Sequence, residues 1–270
     1  MNKNVTKFFK STIKEVLDNL PDQLTAKILN KTMNLCIWEF SVNRKLIQML
    51  ENCKWVKALE QDEGRGAFTG VDREGRYEAP FCDMYIYKLS AEAIVMDLGA
   101  SSGFYSIVAS HFLPSRNIYA FEPDPISRYI LRLNNEKYCG GELNIDHRFV
   151  MEKTEKNKVS LDEYCYKNSI KPTLIKMDIE GGELQAIEGM REICLKYRPI
   201  LLIEFHIRKL RQQLHVNPER ILKILHAYGY RLLFNGHHWH LVINSGQKDT
   251  SWHESLPNHV NCAVLAEPKP

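Results

Sequence analysis

The segment Val95-Met96-Asp97-Leu98-Gly99-Ala100-Ser101-Ser102-Gly103-Phe104-Tyr105 limits what this chain can fold into more than any other. A short apolar run carrying one acid breaks at two glycines and resumes with a helical apolar pattern, which reads as a strand, a tight turn and a helix. Such turns at the carboxyl end of a strand let a ligand approach the backbone closely, because the glycines carry no side chain. The spacing is D-x-G-x-x-x-G, not the G-x-G-x-x-G of a nicotinamide-binding turn, and no lysine follows to hold phosphates as in a P-loop. An acid just before the turn repels a pyrophosphate but suits an ammonium group. Taken alone, a glycine turn can simply close a strand-helix corner; the rest of the chain makes Asp97, Gly99, Ala100, Ser101 and Gly103 candidate cofactor-binding positions.

From Ala91 onward, short apolar runs alternate with helical patterns, the signature of a mostly parallel sheet covered on both faces. Strands are predicted at Ala93–Leu98, Asn117–Phe121, Leu143–Val150, Thr173–Asp178, Ile200–His206, Arg231–Phe234 and His259–Ala266. Asp124-Pro125 and Asn217-Pro218 supply N-caps and first-turn prolines for helices ending near Gly140 and Gly229. Residues 1–60 form a helical appendage: Phe8, Ile13, Val16, Leu17 and Leu20 recur at helical spacing, and Pro21 interrupts the pattern. Residues 61–90, rich in glycine and charge at their start, read as a linker or hairpin, and residues 91–270 form the main domain.

The second strand runs into Phe121-Glu122-Pro123-Asp124, so Glu122 stands where α/β nucleotide folds place an acid for ribose hydroxyls; Pro123 is counted with it. The fourth ends in Lys176-Met177-Asp178-Ile179-Glu180-Gly181-Gly182-Glu183, and an apolar strand has little reason to finish in so many charges. Asp178 and Glu180 share a face if the strand continues, and so do Glu204 and His206 at the end of the fifth. If the two strands are neighbours, Lys176, Asp178, Glu180, Glu204 and His206 converge as candidate catalytic groups beside the glycine turn. Any one acid here has a plain alternative in a salt bridge to Lys176 or a helix N-terminus. The cluster also has donor types suited to Mg²⁺ or Mn²⁺, but no spacing demands an ion, so no metal is expected.

With these segments in view the chain resembles the FkbM family of S-adenosylmethionine-dependent methyltransferases. The matching text is VMDLGASSGFYS, YAFEPDP with Leu133 and Asn134, VSLDEY, LIKMDIEGGE, PILLIEFH and the closing Asn261–Ala266. The resemblance implies a Rossmann-like class I methyltransferase fold. Its seven-stranded, mostly parallel sheet is flanked by helices and ordered 3-2-1-4-5-7-6, with the last strand antiparallel. It also implies S-adenosyl-L-methionine as cofactor, Asp178 at its methionine end or at the acceptor, and O-methylation of a hydroxyl on a sugar, glycan or related small molecule. Adenine is then expected near Phe149 and Val150, followed by a short, charged segment, Met151–Lys158, that departs from the family pattern.

Rival readings are a methyltransferase acting on nucleic acid or protein, a non-catalytic cofactor-binding module, and an NAD-dependent oxidoreductase that the glycine spacing disfavours. The charge balance, 36 basic against 33 acidic residues, gives no broad attraction for nucleic acid. Seven cysteines are scattered singly, without zinc spacing, and read as reduced; His237-His238-Trp239-His240 reads as a hairpin at the substrate mouth. No apolar run reaches membrane-span length and the first residues lack a leader pattern, so a cytoplasmic location is expected. The N-terminal apolar faces are expected to pack on the main domain or to form a homodimer.

Overall fold

The computed structural model describes residues 79–235 and 262–270. The appendage, the glycine-rich stretch up to Glu78 and the His237–His240 motif lie outside the described residues.

Helix α1 (Ala79–Lys88) precedes β1 (Val95–Leu98), α2 (Phe104–Ser110), β2 (Ile118–Phe121), α3 (Pro125–Tyr138) and β3 (Asn144–Asp146). Two short strands, β4 (Phe149–Val150) and β5 (Lys158–Val159), lead to α4 (Leu161–Asn168) and β6 (Leu174–Met177). After α5 (Glu183–Glu188), α6 (Arg191–Lys196) and β7 (Ile200–Phe205) come α7 (Pro218–Ala227), β8 (Tyr230–Asn235) and β9 (Cys262–Pro268). The main sheet has the order β3-β2-β1-β6-β7-β9-β8. All pairings from β3 to β7 are parallel, and β9 runs antiparallel to both neighbours. Counting only strands of this sheet, the order is 3-2-1-4-5-7-6, the class I methyltransferase topology that the resemblance implied.

Central parallel strands are buried on both faces, and residues of β1 and β6 alternate between two cores. Met96, Leu98, Ile175 and Met177 face one, with Leu201, Ile203 and Phe205 from β7. Val95 and Leu174 face the other, which is closed by α1 and α2 through Phe81, Tyr85, Phe104 and Tyr105. Asp97 lies on that second face, two residues after Val95, and is the register partner of Lys176. The caps expected at Asp124 and Asn217 are present: Asp124 Oδ1 accepts from the Ile126 and Ser127 amides at 3.1 and 3.0 Å, and Asn217 Oδ1 from Glu219 at 3.0 Å.

Two expectations change. The third strand is not continuous over Leu143–Val150; it stops at Asp146, and Phe149 and Val150 pair with Lys158 and Val159 in a separate two-stranded sheet. The cause is local: Asp146 Oδ1 accepts the Arg148 amide at 2.9 Å and the same carboxylate grips the Arg148 guanidinium, a side-chain turn that competes with the ladder. Secondly, Ala79–Lys88, placed within the linker by the sequence, is helical, and Phe81, Cys82 and Tyr85 on it are core residues.

Candidate active site

The carboxyl ends of β1, β2, β6 and β7 meet at one rim, and the glycine turn closes over it. Gly99 takes φ +75°, and a Cβ there would lie 1.8 Å from the Asp178 carbonyl oxygen. This glycine is therefore demanded by the close approach of the β1 turn to the end of β6, whatever ligand binds. Four amides of the turn are committed inward. Gly99 and Ala100 donate to the Phe121 carbonyl at 2.9 and 3.0 Å, Gly103 donates to Ala100 at 2.8 Å, and Ser101 donates to Glu122 Oε2 at 2.8 Å. These four amides face the protein, whereas a phosphate-binding loop points such amides outward. Asn134 on α3 donates to the Ser102 carbonyl at 2.7 Å and fixes the far side of the turn.

Glu122 is buried, 7% exposed, and each of its carboxylate oxygens accepts one amide, from Ser101 and from Asp124 (2.7 Å). Burial raises its pKa, and the amides of Asp124 and Ser101 counteract this. Each oxygen keeps a lone pair for a further donor, which fits the ribose hydroxyls expected there. Arg128 holds the same corner through the carbonyls of Glu122 and Pro123, at 3.0 and 2.8 Å.

Asp97 is fully enclosed. Ser106 Oγ donates to its Oδ2 at 2.7 Å, and Lys176 Nζ stands 3.2 Å from its Oδ1. The ammonium beside Asp97 in this fold is thus the chain's own. Lys176, itself 2% exposed, donates to the Gly99 carbonyl at 3.0 Å and sits 5.0 Å above the Tyr105 ring. Tyr105 is boxed edge-on by Phe81, Tyr85 and Phe104. Lys176 is therefore a positioning residue that ties the β1 turn to β6, and Asp97 acts on the rim through it.

Asp178 and Glu204 follow two residues after Lys176 and its register partner Leu202, so they leave the same face of neighbouring strands. His206 comes two residues later still. Its Nε2 lies 3.6 Å from Asp178 Oδ1, 3.6 Å from Glu180 Oε1 and 3.9 Å from Glu204 Oε1. The other ring nitrogen, Nδ1, is 2.9 Å from Oε1 of Glu183, a fully buried carboxylate that also accepts the Gly181 amide at 3.1 Å. Burial opposes charge on the His206 ring. The Glu183 hydrogen bond and the charges of Asp178 and Glu204 outweigh it and push the pKa up to about 9. Asp178 keeps 29% of its side chain accessible, yet burial is the main cause raising its pKa, partly offset by Lys176 and His206.

The structure brings Lys176, Asp178, Glu204 and His206 together with the glycine turn. Glu180 is more peripheral: its side chain is mostly exposed and paired with Lys209 at 3.3 Å. Phe149 is half-exposed on β4, outside the main sheet. Glu183 and Ser106 were not singled out from the sequence. The second glutamate of Glu-Gly-Gly-Glu was the available signal for Glu183, whereas nothing in the sequence marks Ser106.

The family model for the methyltransferase FkbM domain matches residues 140–232, a span that contains Lys176, Asp178, Glu183, Glu204 and His206. The hexuronic acid methyltransferase AglP of Haloferax volcanii is 23% identical over 177 residues, covering 57% of this chain and 70% of that protein. Among solved structures, methyltransferase FkbM from Methylobacillus flagellatus superposes with TM-score 0.48 at 21% identity, over 73% of this chain and 49% of that one. This chain thus spans about half the length of that protein. Precorrin-6y C5,15-methyltransferase from Geobacter metallireducens gives TM-score 0.47 at 15% identity, over 78% and 97%. The FkbM methyltransferase model thus lies across both charged strand ends, and over that span this chain is similar to the FkbM methyltransferases.

Proposed function

We propose that the protein transfers a methyl group from S-adenosyl-L-methionine to a hydroxyl oxygen of a sugar, a glycan or a related small molecule. The observation that carries this reading is the convergence of Asp178, Glu204 and His206, from the ends of two adjacent strands, beside the glycine turn. Glu122 and the backbone of Gly99–Gly103 would hold the nucleoside, and the acidic rim suits the cofactor's positively charged methionine end. A sulfonium methyl is already activated, so the protein's task is alignment and removal of the hydroxyl proton. His206 is placed to hold the carboxylates in order, and Asp178 is the candidate proton acceptor. The sugar acceptor is supported by the hexuronic acid named for the Haloferax relative.

Calorimetric titration with S-adenosylhomocysteine tests the cofactor, and mass spectrometry of extracts incubated with enzyme and deuteromethyl cofactor identifies the acceptor. Binding of NAD in preference to S-adenosylhomocysteine would overturn the reading. Glu122→Gln is expected to weaken S-adenosylhomocysteine binding about 10- to 100-fold, since a hydrogen bond to a charged group is worth roughly 1.5–3 kcal/mol. Unchanged affinity in this variant would remove Glu122 from the cofactor site.

A further inference from the structure

We propose that Asp178, Glu204 and His206 together bind a divalent cation of the Mg²⁺ or Mn²⁺ class. One ligand atom from each lies within 4.8 Å of the other two. In an octahedral site with bonds of about 2.1 Å, ligands stand roughly 3 Å apart when adjacent and roughly 4.2 Å when opposite. The separations from His206 Nε2, 3.6 Å to Asp178 and 3.9 Å to Glu204, fall in that interval. They are too long for direct hydrogen bonds, which need about 2.7–3.2 Å. Nε2 of a side chain only 9% exposed therefore points into a gap ringed by carboxylates, with no hydrogen bond to any described group.

The hold on the other ring nitrogen is an independent sign. Metal-ligating histidines characteristically give their second nitrogen to a carboxylate, which fixes the ring and the tautomer. Glu183 does this at 2.9 Å, and its own Oε1 is fixed by the Gly181 amide. Charge points the same way. Asp178, Glu183 and Glu204 crowd the ring, while Lys176, the cation 3.9 Å from Asp178, lies nearer to Asp97 at 3.2 Å. Two carboxylates and one imidazole suit Mg²⁺ or Mn²⁺, and three protein ligands leave positions for water or an acceptor hydroxyl. From sequence the donor types suited such an ion but no spacing demanded one, because the ligands come from two segments whose distance only the β6–β7 register sets.

The ion's use, holding the acceptor oxygen, rests on the methyl-transfer reading; its binding does not. The full-length protein, freed of metal, is titrated with Mn²⁺ alone while free Mn²⁺ is followed by electron paramagnetic resonance. One site per chain is expected, weakened at least tenfold by Asp178→Asn and by Glu204→Gln, and unchanged by Glu155→Gln on the exposed Glu155–Lys158 pair. In histidine-labelled wild type, Mn²⁺ should broaden the His206 ring signals first. Absence of binding, binding indifferent to Glu204→Gln, or broadening confined to the His237–His240 motif would each overturn the proposal. S-adenosylhomocysteine titration of the same samples separates the two readings, since cofactor binding without Mn²⁺ binding removes only the metal.

Discussion

Gly99→Ala is expected to lower the melting temperature by on the order of 10 °C and to abolish detectable cofactor binding in what remains folded. The added Cβ would sit 1.8 Å from the Asp178 carbonyl oxygen and 2.8 Å from its carbon, a backbone-to-backbone clash that no rotamer change relieves. The residue is also at φ +75°, where an L side chain is strained. Overpacking costs about 1–3 kcal/mol and a non-glycine residue in the left-handed region about 1–3 kcal/mol more. At about 2–4 °C per kcal/mol for a domain of this size, the sum gives the stated shift. The strands cannot simply part, because the Asp178 amide donates to the Leu98 carbonyl at 3.0 Å and Lys176 bonds the Gly99 carbonyl at 3.0 Å. Gly140→Ala is the control: φ is +63°, yet nothing lies within 4 Å of the added atom, so only the conformational cost remains. Thermal melts of the two variants beside wild type make the comparison. Equal melting of Gly99→Ala and Gly140→Ala would show that the β1 and β6 ends are not packed as described.

Local chemistry explains which parts of this arrangement were legible in the sequence. Strand alternation placed Asp178, Glu204 and His206 at the rim, because residues two apart on a strand share a face and the fourth and fifth strands of the sheet are neighbours. The Asp124 and Asn217 caps were legible because a cap acts within three residues of itself. The break of the third strand was not, since the apolar pattern over Leu143–Val150 conceals a turn made by Asp146 and Arg148 side chains. The role of Lys176 was also hidden. From sequence it stands among rim charges; in the fold it is enclosed between Asp97, the Gly99 carbonyl and the Tyr105 ring. That enclosure needs α1, whose Phe81 and Tyr85 box in Tyr105 and which lay in a segment read as linker. Glu183 escaped for a similar reason: its meeting with His206 depends on where α5 starts relative to the end of β7.

Asp178→Asn is expected to reduce methyl transfer by about 10²–10⁴-fold, the usual worth of a positioned proton acceptor. The amide has the shape of the carboxylate, so the β6 end and the Gly99 turn stay in place and the protein should melt near wild type. What it loses is a negative charge 3.6 Å from His206 Nε2 and 3.9 Å from Lys176 Nζ, and with it the ability to accept a proton. Burial already raises the pKa of Asp178, while Lys176 and His206 pull it back. The carboxylate is thus a stronger base than an exposed one. Glu204 is buried further in and Glu180 is turned towards Lys209, so neither replaces it. The division between rate and affinity decides the role. A proton acceptor loses turnover while S-adenosylhomocysteine affinity changes less than tenfold; a partner of the cofactor's ammonium group loses affinity first, and turnover recovers at saturating cofactor. Turnover of the identified acceptor at saturating cofactor, measured beside calorimetric titration of the same variant, separates the two, and a wild-type rate would take Asp178 out of the chemistry altogether.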